Sequence, residues 1–263
     1  MLGNLDNEVI FKKAFTDKIV FKAFVRDILG IDIEVDVIET EKRFEPKVGD
    51  IDFKMDIYAE SVDKRVVVEI QRRDYDYNFD RFLHYFLIAI AEQQKKAPVY
   101  DIPQTVYMIV VLTAPYRFDE KSGKAVRDEV LLMKLNPQTL QGIERDVYGH
   151  KLVWLNPNHP DESSPRPMRD WLDLVYQSIH SPERPSLNKA NEGVQRAAAL
   201  IEYDNLTPEE RAEMKMNNGR KVVRAMDTYD SLIEVAKKLK TNGVAIEIIV
   251  ESTGLSRGEI ENL

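Results

Sequence analysis

The chain has 263 residues, 45 acidic against 37 basic side chains and a net charge of −8, with 43% hydrophobic and 31% charged residues. That composition supplies a core for one large domain, or for one domain with an appendage. The absence of cysteine excludes disulfides and thiolate metal sites, and the four histidines show no metal-ligand spacing. No basic segment followed by an apolar run opens the chain and no run of some 18 apolar residues occurs, so neither a signal peptide nor a membrane span is expected. An acidic chain that binds nucleic acid must do so through local positive patches.

In chain order, Asn7 to Leu29 carries Phe11, Phe15, Ile19, Phe24, Val25 and Ile28 at helical spacing, with Thr16-Asp17-Lys18 as an interruption and Gly30 as a stop. Glu8, Lys12, Lys13 and Lys22 fall on the opposite face, where most charges merely solvate a helix. Ile31 to Phe44 alternates polar and apolar residues as a half-buried strand does. Ile51 to Gln71 reads as a β-hairpin with its turn at Ser61-Val62-Asp63-Lys64. Alternation places Phe53, Met55 and Ile57 on one face of the first strand and Asp56 on the other; it groups Glu69 with Gln71, opposite Val66, Val68 and Ile70. Asp56 and Glu69 then sit side by side on adjacent strands. Two carboxylates that close call for a proton or a divalent cation between them, or else belong to the solvated face of an ordinary sheet.

After a charged and aromatic link, Asn78 opens a helix with Phe79, Phe82, Leu83, Phe86, Leu87 and Ile90 as its stripe and Arg81, His84 and Tyr85 on another face. Thr105 to Leu112 is nearly all apolar, as in a strand covered on both sides. The order helix, three strands, helix, strand predicts an α/β sandwich around a mixed sheet. Val126 to Lys134 and Lys151 to Leu155 extend it. The proline-rich stretch at 156–167 predicts a linker between a domain at 1–155 and a helical region at 168–263. In that region Thr207-Pro208-Glu209-Glu210 and Ser256 with Glu259 form capping boxes, and a further helix is expected over 220–240.

Asp56, a gap of twelve residues, then Glu69-Ile70-Gln71 resembles the Asp…(Asp/Glu)-x-Lys core of PD-(D/E)XK nucleases. The Glu-x-Gln variant resembles the Rpn (recombination-promoting nuclease) and putative-transposase branch. So do the opening helix Glu8 to Phe15, the segment Arg81 to Tyr85 after the catalytic strand, the strand Val106 to Leu112 and the tail Thr253 to Ser256. No proline-aspartate pair precedes the hairpin, since Met55 stands before Asp56.

The resemblance implies a restriction-endonuclease-like core followed by helices, and a cytoplasmic endonuclease that hydrolyses DNA and promotes recombination with Mg²⁺, or Mn²⁺, as its cofactor. It implies Glu8, Asp56, Glu69 and the Ile70 carbonyl as metal ligands. Gln71 then stands in the place of the usual lysine, able to orient water without carrying charge. Arg72, Arg73, Arg81, Lys95 and Lys96 form a candidate phosphate-contacting patch, with Tyr75, Tyr77 and Tyr85 against sugar or bases; surface salt bridges with Asp74, Asp76 and Asp80 are the alternative. His84 is expected to be structural. The tail at Val244 to Leu263 resembles half of a helix-turn-helix with few base-reading side chains, which favours packing or homo-oligomerisation through the C-terminal helices. The rival readings are a catalytically silent DNA-binding or self-associating protein that keeps the fold, and cleavage of RNA.

Overall fold

The computed structural model describes residues 1–35, 37–44, 54–71, 79–96, 99–113 and 128–263, without the side chains at 96, 217–218, 221–225, 227–228 and 251. Contacts divide the chain into two compact units, Met1–Glu210 and Arg211–Leu263.

The first unit is built on a six-stranded mixed sheet. Its strands are β1 (Ile38–Lys42), β2 (Met55–Glu60), β3 (Lys64–Gln71), β4 (Thr105–Leu112), β5 (Val130–Lys134) and β6 (Lys151–Leu155), in the spatial order β1-β2-β3-β4-β6-β5. β2 and β3 form the antiparallel hairpin expected from the sequence, closed where the Ser61 N–H donates to the Lys64 carbonyl at 2.8 Å. β3, β4 and β6 run parallel, and β5 returns antiparallel at one edge. β3 and β4 are buried almost throughout, as continuous Val and Ile runs require when both faces of a parallel pair are covered.

The N-terminal helical stretch is broken as its sequence indicates, into α1 (Glu8–Phe15) and α2 (Lys18–Leu29). The Asp17 side chain caps α2 by accepting from the Ile19 and Val20 N–H groups, and Gly30 ends it at φ 68°, a left-handed conformation that glycine adopts without steric cost. The strand expected over Ile31 to Phe44 is shorter. Among the described residues of that stretch only Ile38–Lys42 pairs, while Ile33 and Val35 bury their side chains outside any ladder. α3 (Phe79–Ala91) packs Phe82, Tyr85, Phe86, Ala89 and Ile90 into one core with Tyr58, Val67, Met108, Val110 and Leu112 of the sheet, then tightens into a 3-10 turn at Glu92–Lys96.

The boundary expected at residue 155 is not where the contacts divide the chain. α4 (Arg166–His180) and α5 (Glu192–Leu200) pack on α1 and α2 inside the first unit. Trp171 of α4 is fully buried, with its ring 5.2 Å from that of Phe24 and 5.9 Å from that of Phe15, and its indole N–H donates to Asp27 at 2.9 Å. α5 comes so near α2 that a Cβ on Gly193 would lie 2.6 Å from the Ala23 Cβ. The prolines at 156–167 therefore mark a connection within one compact unit. The second unit holds most of α6 (Pro208–Thr241), a single 34-residue helix where the sequence suggested two, followed by α7 (Ile246–Thr253) and α8 (Arg257–Glu261). Its small core joins Ala236, Ile249, Leu255 and Ile260, and the Ser256–Glu259 capping box is present.

Trp171→Ala is expected to lower the unfolding free energy of the first unit by about 3–5 kcal/mol, the usual cost of emptying a buried tryptophan site. Denaturant unfolding measures it. A chain ending after Glu210 should unfold at the full-length midpoint, whereas one ending at 155 exposes Phe15 and Phe24.

Candidate active site at the open end of the hairpin

The hairpin register runs from Glu60↔Arg65 to Ile57↔Val68. One step beyond, side chains take over from the ladder. The Asp56 N–H donates to Glu69 Oε1 at 2.8 Å, and the Ile70 N–H donates to Asp56 Oδ2 at 3.0 Å. The strand end thus turns two backbone donors into carboxylate clamps and fixes both acidic side chains against each other. Glu69 has no exposed surface, and its second oxygen, Oε2, is buried without a hydrogen-bond partner.

Burial, and after it the neighbouring Asp56 charge, push the Glu69 carboxyl well above its usual range, against the Asp56 N–H and the positive charges of Arg81 and Lys12. Burial also raises Asp56, helped by the Glu8 charge and opposed by the Ile70 N–H, Lys12 and Arg81. These are two carboxyls with a strong demand for a positive partner.

Two helices bring cations to them. On α1, the Lys12 ammonium binds Glu8 Oε1 at 2.5 Å and Glu41 at 3.2 Å. Burial works to lower its pKa, but these carboxylates outweigh that and raise it. Glu41, opposite Asp56 by the register that pairs Thr40 with Ile57 and Lys42 with Met55, has φ 56°. A glutamate in that region stores roughly 1–3 kcal/mol of strain. Lys54 and Lys12 bind Glu41 and hold its carboxyl down at about 2.

On α3, the Arg81 guanidinium donates to Gln71 Oε1 at 3.1 Å and to the Tyr85 hydroxyl at 3.2 Å, and lies 4.0 Å from Glu69 Oε2. The end of β3 is tied to the end of β4 where the Thr113 N–H donates to the Gln71 carbonyl, while the Thr113 hydroxyl donates to Asp6 at 2.6 Å.

Asp56, Glu69, Ile70, Gln71, Arg81 and Tyr85 come together, with Glu8 near enough for its charge to act on Asp56. Lys95 does not join them. Its 3-10 turn is anchored at the opposite end of β3, where Arg65 binds Glu92 at 2.7 Å and Gln104, itself bonded to Gln93, at 2.6 Å. At about 3.3 Å per residue, the strand separates Arg65 from Gln71 by roughly 20 Å. Lys96 ends the same turn, with its side chain outside the described residues, as are Arg72, Arg73, Tyr75 and Tyr77. The sequence does not single out Lys12, since a charge on that helix face ordinarily solvates it, although its spacing of four from Glu8 is that of a helix-surface ion pair.

Among the described residues no three acidic or histidine side chains converge into a ready-made cation cage. Mg²⁺ does not require one, being held typically by one or two carboxylates with water and phosphate oxygens completing its shell. Adjacent Asp56 and Glu69, with a buried carboxylate oxygen that nothing hydrogen-bonds, fit such an ion.

A family model described as PD-(D/E)XK nuclease family transposase matches residues 7–228. Searches of curated proteins and of solved structures each returned no match. The matched segment runs from the N-cap of α1 into α6 and takes in the whole of the hairpin, Arg81 and Tyr85, so the chain belongs to the PD-(D/E)XK nuclease family transposases.

Proposed function

We propose that the chain is a Mg²⁺-dependent endonuclease that hydrolyses phosphodiester bonds of DNA in the cytoplasm and thereby promotes recombination, with Mn²⁺ as an alternative cofactor. The observation that carries this reading is the buried Glu69 Oε2 beside Asp56, which accepts no hydrogen bond and has Arg81 4.0 Å away. A fold without a ligand gains nothing from a carboxyl group held out of water beside a second one; a cation site does.

Asp56 and Glu69 would hold the cation, with the Ile70 carbonyl and Glu8 as further ligands. When bound, the cation activates water and draws charge from the phosphate. The chain's own groups do the rest. The clamps from Asp56 N–H and Ile70 N–H keep both carboxylates in place before metal arrives. Gln71 lends its oxygen to Arg81, which leaves its amide N–H₂ group uncommitted by that bond. Arg81, Tyr85 and, outside the described residues, Arg72 and Arg73 contact the DNA backbone. Self-association or delivery to DNA falls to Arg211–Leu263, which has a core of its own.

Plasmid nicking in Mg²⁺, abolished by EDTA, is the direct test. Asp56→Ala and Glu69→Ala should remove cleavage while leaving the circular dichroism spectrum unchanged. A variant that nicks at the wild-type rate would take that residue out of the mechanism. Glu8→Ala should weaken Mg²⁺ affinity, read by titration calorimetry, with a smaller effect than either.

Glu69 also predicts a pH dependence. Its folded-state pKa is raised, so between the unfolded and folded values the folded chain binds more protons. The metal-free protein should therefore lose stability as pH rises through that window and regain it as pH falls toward the ordinary carboxylate range. Glu69→Gln removes the buried charge. It should abolish cleavage and flatten this dependence, and at neutral pH it should melt above the metal-free wild type. A lower melting temperature for Glu69→Gln at neutral pH would show that the carboxylate stabilises the fold instead.

A further inference from the structure

We propose that Arg81 supplies the positive charge this chain lacks at position 71, and that Gln71 is a positioning residue acting through it. The inference rests on the hydrolysis reading above and extends it to one residue with a defined task.

β3 carries Glu69 and Gln71 on one face, and nothing charged follows Glu69 on that face within the described strand. In hydrolysis the water oxygen forms a new bond to phosphorus and one ester P–O bond breaks. The electron pair of that bond leaves with the sugar oxygen, which gains a proton as the water loses one. Negative charge builds on the non-bridging oxygens in between. A preorganised donor aimed at that charge is worth more than one recruited from solvent, because it needs no reorganisation at the moment of reaction. Gln71 is neutral and cannot meet this demand through charge.

The geometry around Gln71 does meet it. The side chain is only 6% exposed, and its Oε1 is committed to the Arg81 guanidinium. Arg81 is held from three further directions. Its Nε donates to the Tyr85 hydroxyl, its plane lies over the Tyr85 ring at 5.3 Å and near the Phe82 ring at 5.5 Å, and Glu69 Oε2 draws it from 4.0 Å. Phe82 and Tyr85 are themselves buried, so the platform does not yield. The Arg81 side chain nevertheless stays 43% exposed, within reach of a substrate arriving from water. A guanidinium is always charged and its planar fork matches phosphate oxygens in pairs, which an ammonium cannot do. The charge has moved from the strand to the neighbouring helix, with a glutamine on the strand to aim it.

Single-turnover cleavage of duplex DNA at saturating Mg²⁺ and enzyme separates this from a structural tie and from general DNA affinity. Affinity is measured with Ca²⁺ in place of Mg²⁺. Arg81→Ala should slow the chemical step by about 10²- to 10³-fold, the scale of losing one transition-state donor, and should leave affinity within a few-fold. Millimolar guanidine should restore part of the rate to Arg81→Ala and none to the wild type. Arg81→Lys should fall between the two, and it keeps the test intact if the alanine chain folds poorly. Gln71→Ala should slow the wild type and add nothing to Arg81→Ala, since two residues acting as one unit are not additive. Four results would overturn the proposal: an unchanged rate in Arg81→Ala, a loss confined to affinity, no guanidine rescue, or independent losses at 71 and 81. Any of them in an enzyme that cleaves leaves the hydrolysis reading standing. A wild type that does not cleave brings down that reading, and this one with it.

Discussion

The constraint on which the site depends is a carboxylate kept wholly out of water with a second carboxylate across the strand. Glu69 loses its hydration when β3 is covered on both faces, and the hairpin register puts the half-buried Asp56 alongside it. Removing two charges from water is expensive unless each gains strong partners. The hairpin provides two of them by ending its ladder one step early, so that backbone N–H groups turn to carboxylate oxygens. Lys12 and Arg81 add positive charge from either side, from α1 and from α3. One oxygen, Glu69 Oε2, is left without a hydrogen bond. The fold has compensated the pair almost fully and stopped at the oxygen a cation would take.

The surroundings follow from that incomplete compensation. Glu41 is forced to φ 56° opposite Asp56, and from there its carboxylate holds Lys12 together with Glu8. Thr113 pins the end of β3 to β4 and reaches Asp6 in the segment before α1. Gln71 cannot relax toward solvent without releasing Arg81. Each contact fixes a side chain that would otherwise move when the charge on the pair changes, which is how a scaffold keeps a constellation within a fraction of an ångström.

What the sequence revealed and what it hid divide along the range of the interactions. The hairpin, the break at Asp17 and the strand Thr105–Leu112 were legible because periodicity, turn chemistry and capping act between near neighbours. So was the pairing of Asp56 with Glu69, which alternation across a short turn determines. The helices after residue 155 were assigned to an appendage because four prolines in twelve residues read as a linker. Nothing local announces that Trp171 returns to fill a space between Phe15 and Phe24. Lys95 was grouped with Arg81 by closeness in sequence, yet the length of α3 carries it to the other end of the sheet. Lys12 was passed over because a charge on an exposed helix face ordinarily solvates it, and only the docking of α1 against the hairpin makes it part of the carboxylate cluster.

A chain with net charge −8 that is proposed to act on a polyanion must solve an electrostatic problem before any chemistry. Around the hairpin end the described cations are shared: Lys12 is bound by Glu8 and Glu41, and Arg81 stands near Glu69. On the proposed reading, the acidic side chains around the hairpin end offset these cations until a divalent ion arrives, and the metal-free site has no surplus of positive charge to draw phosphate. Two added positive charges tip that balance within a few ångströms, where screening by salt is weakest because Glu69 is buried. The cation then has a role that precedes its part in hydrolysis, which is to make an acidic surface admit DNA at one place.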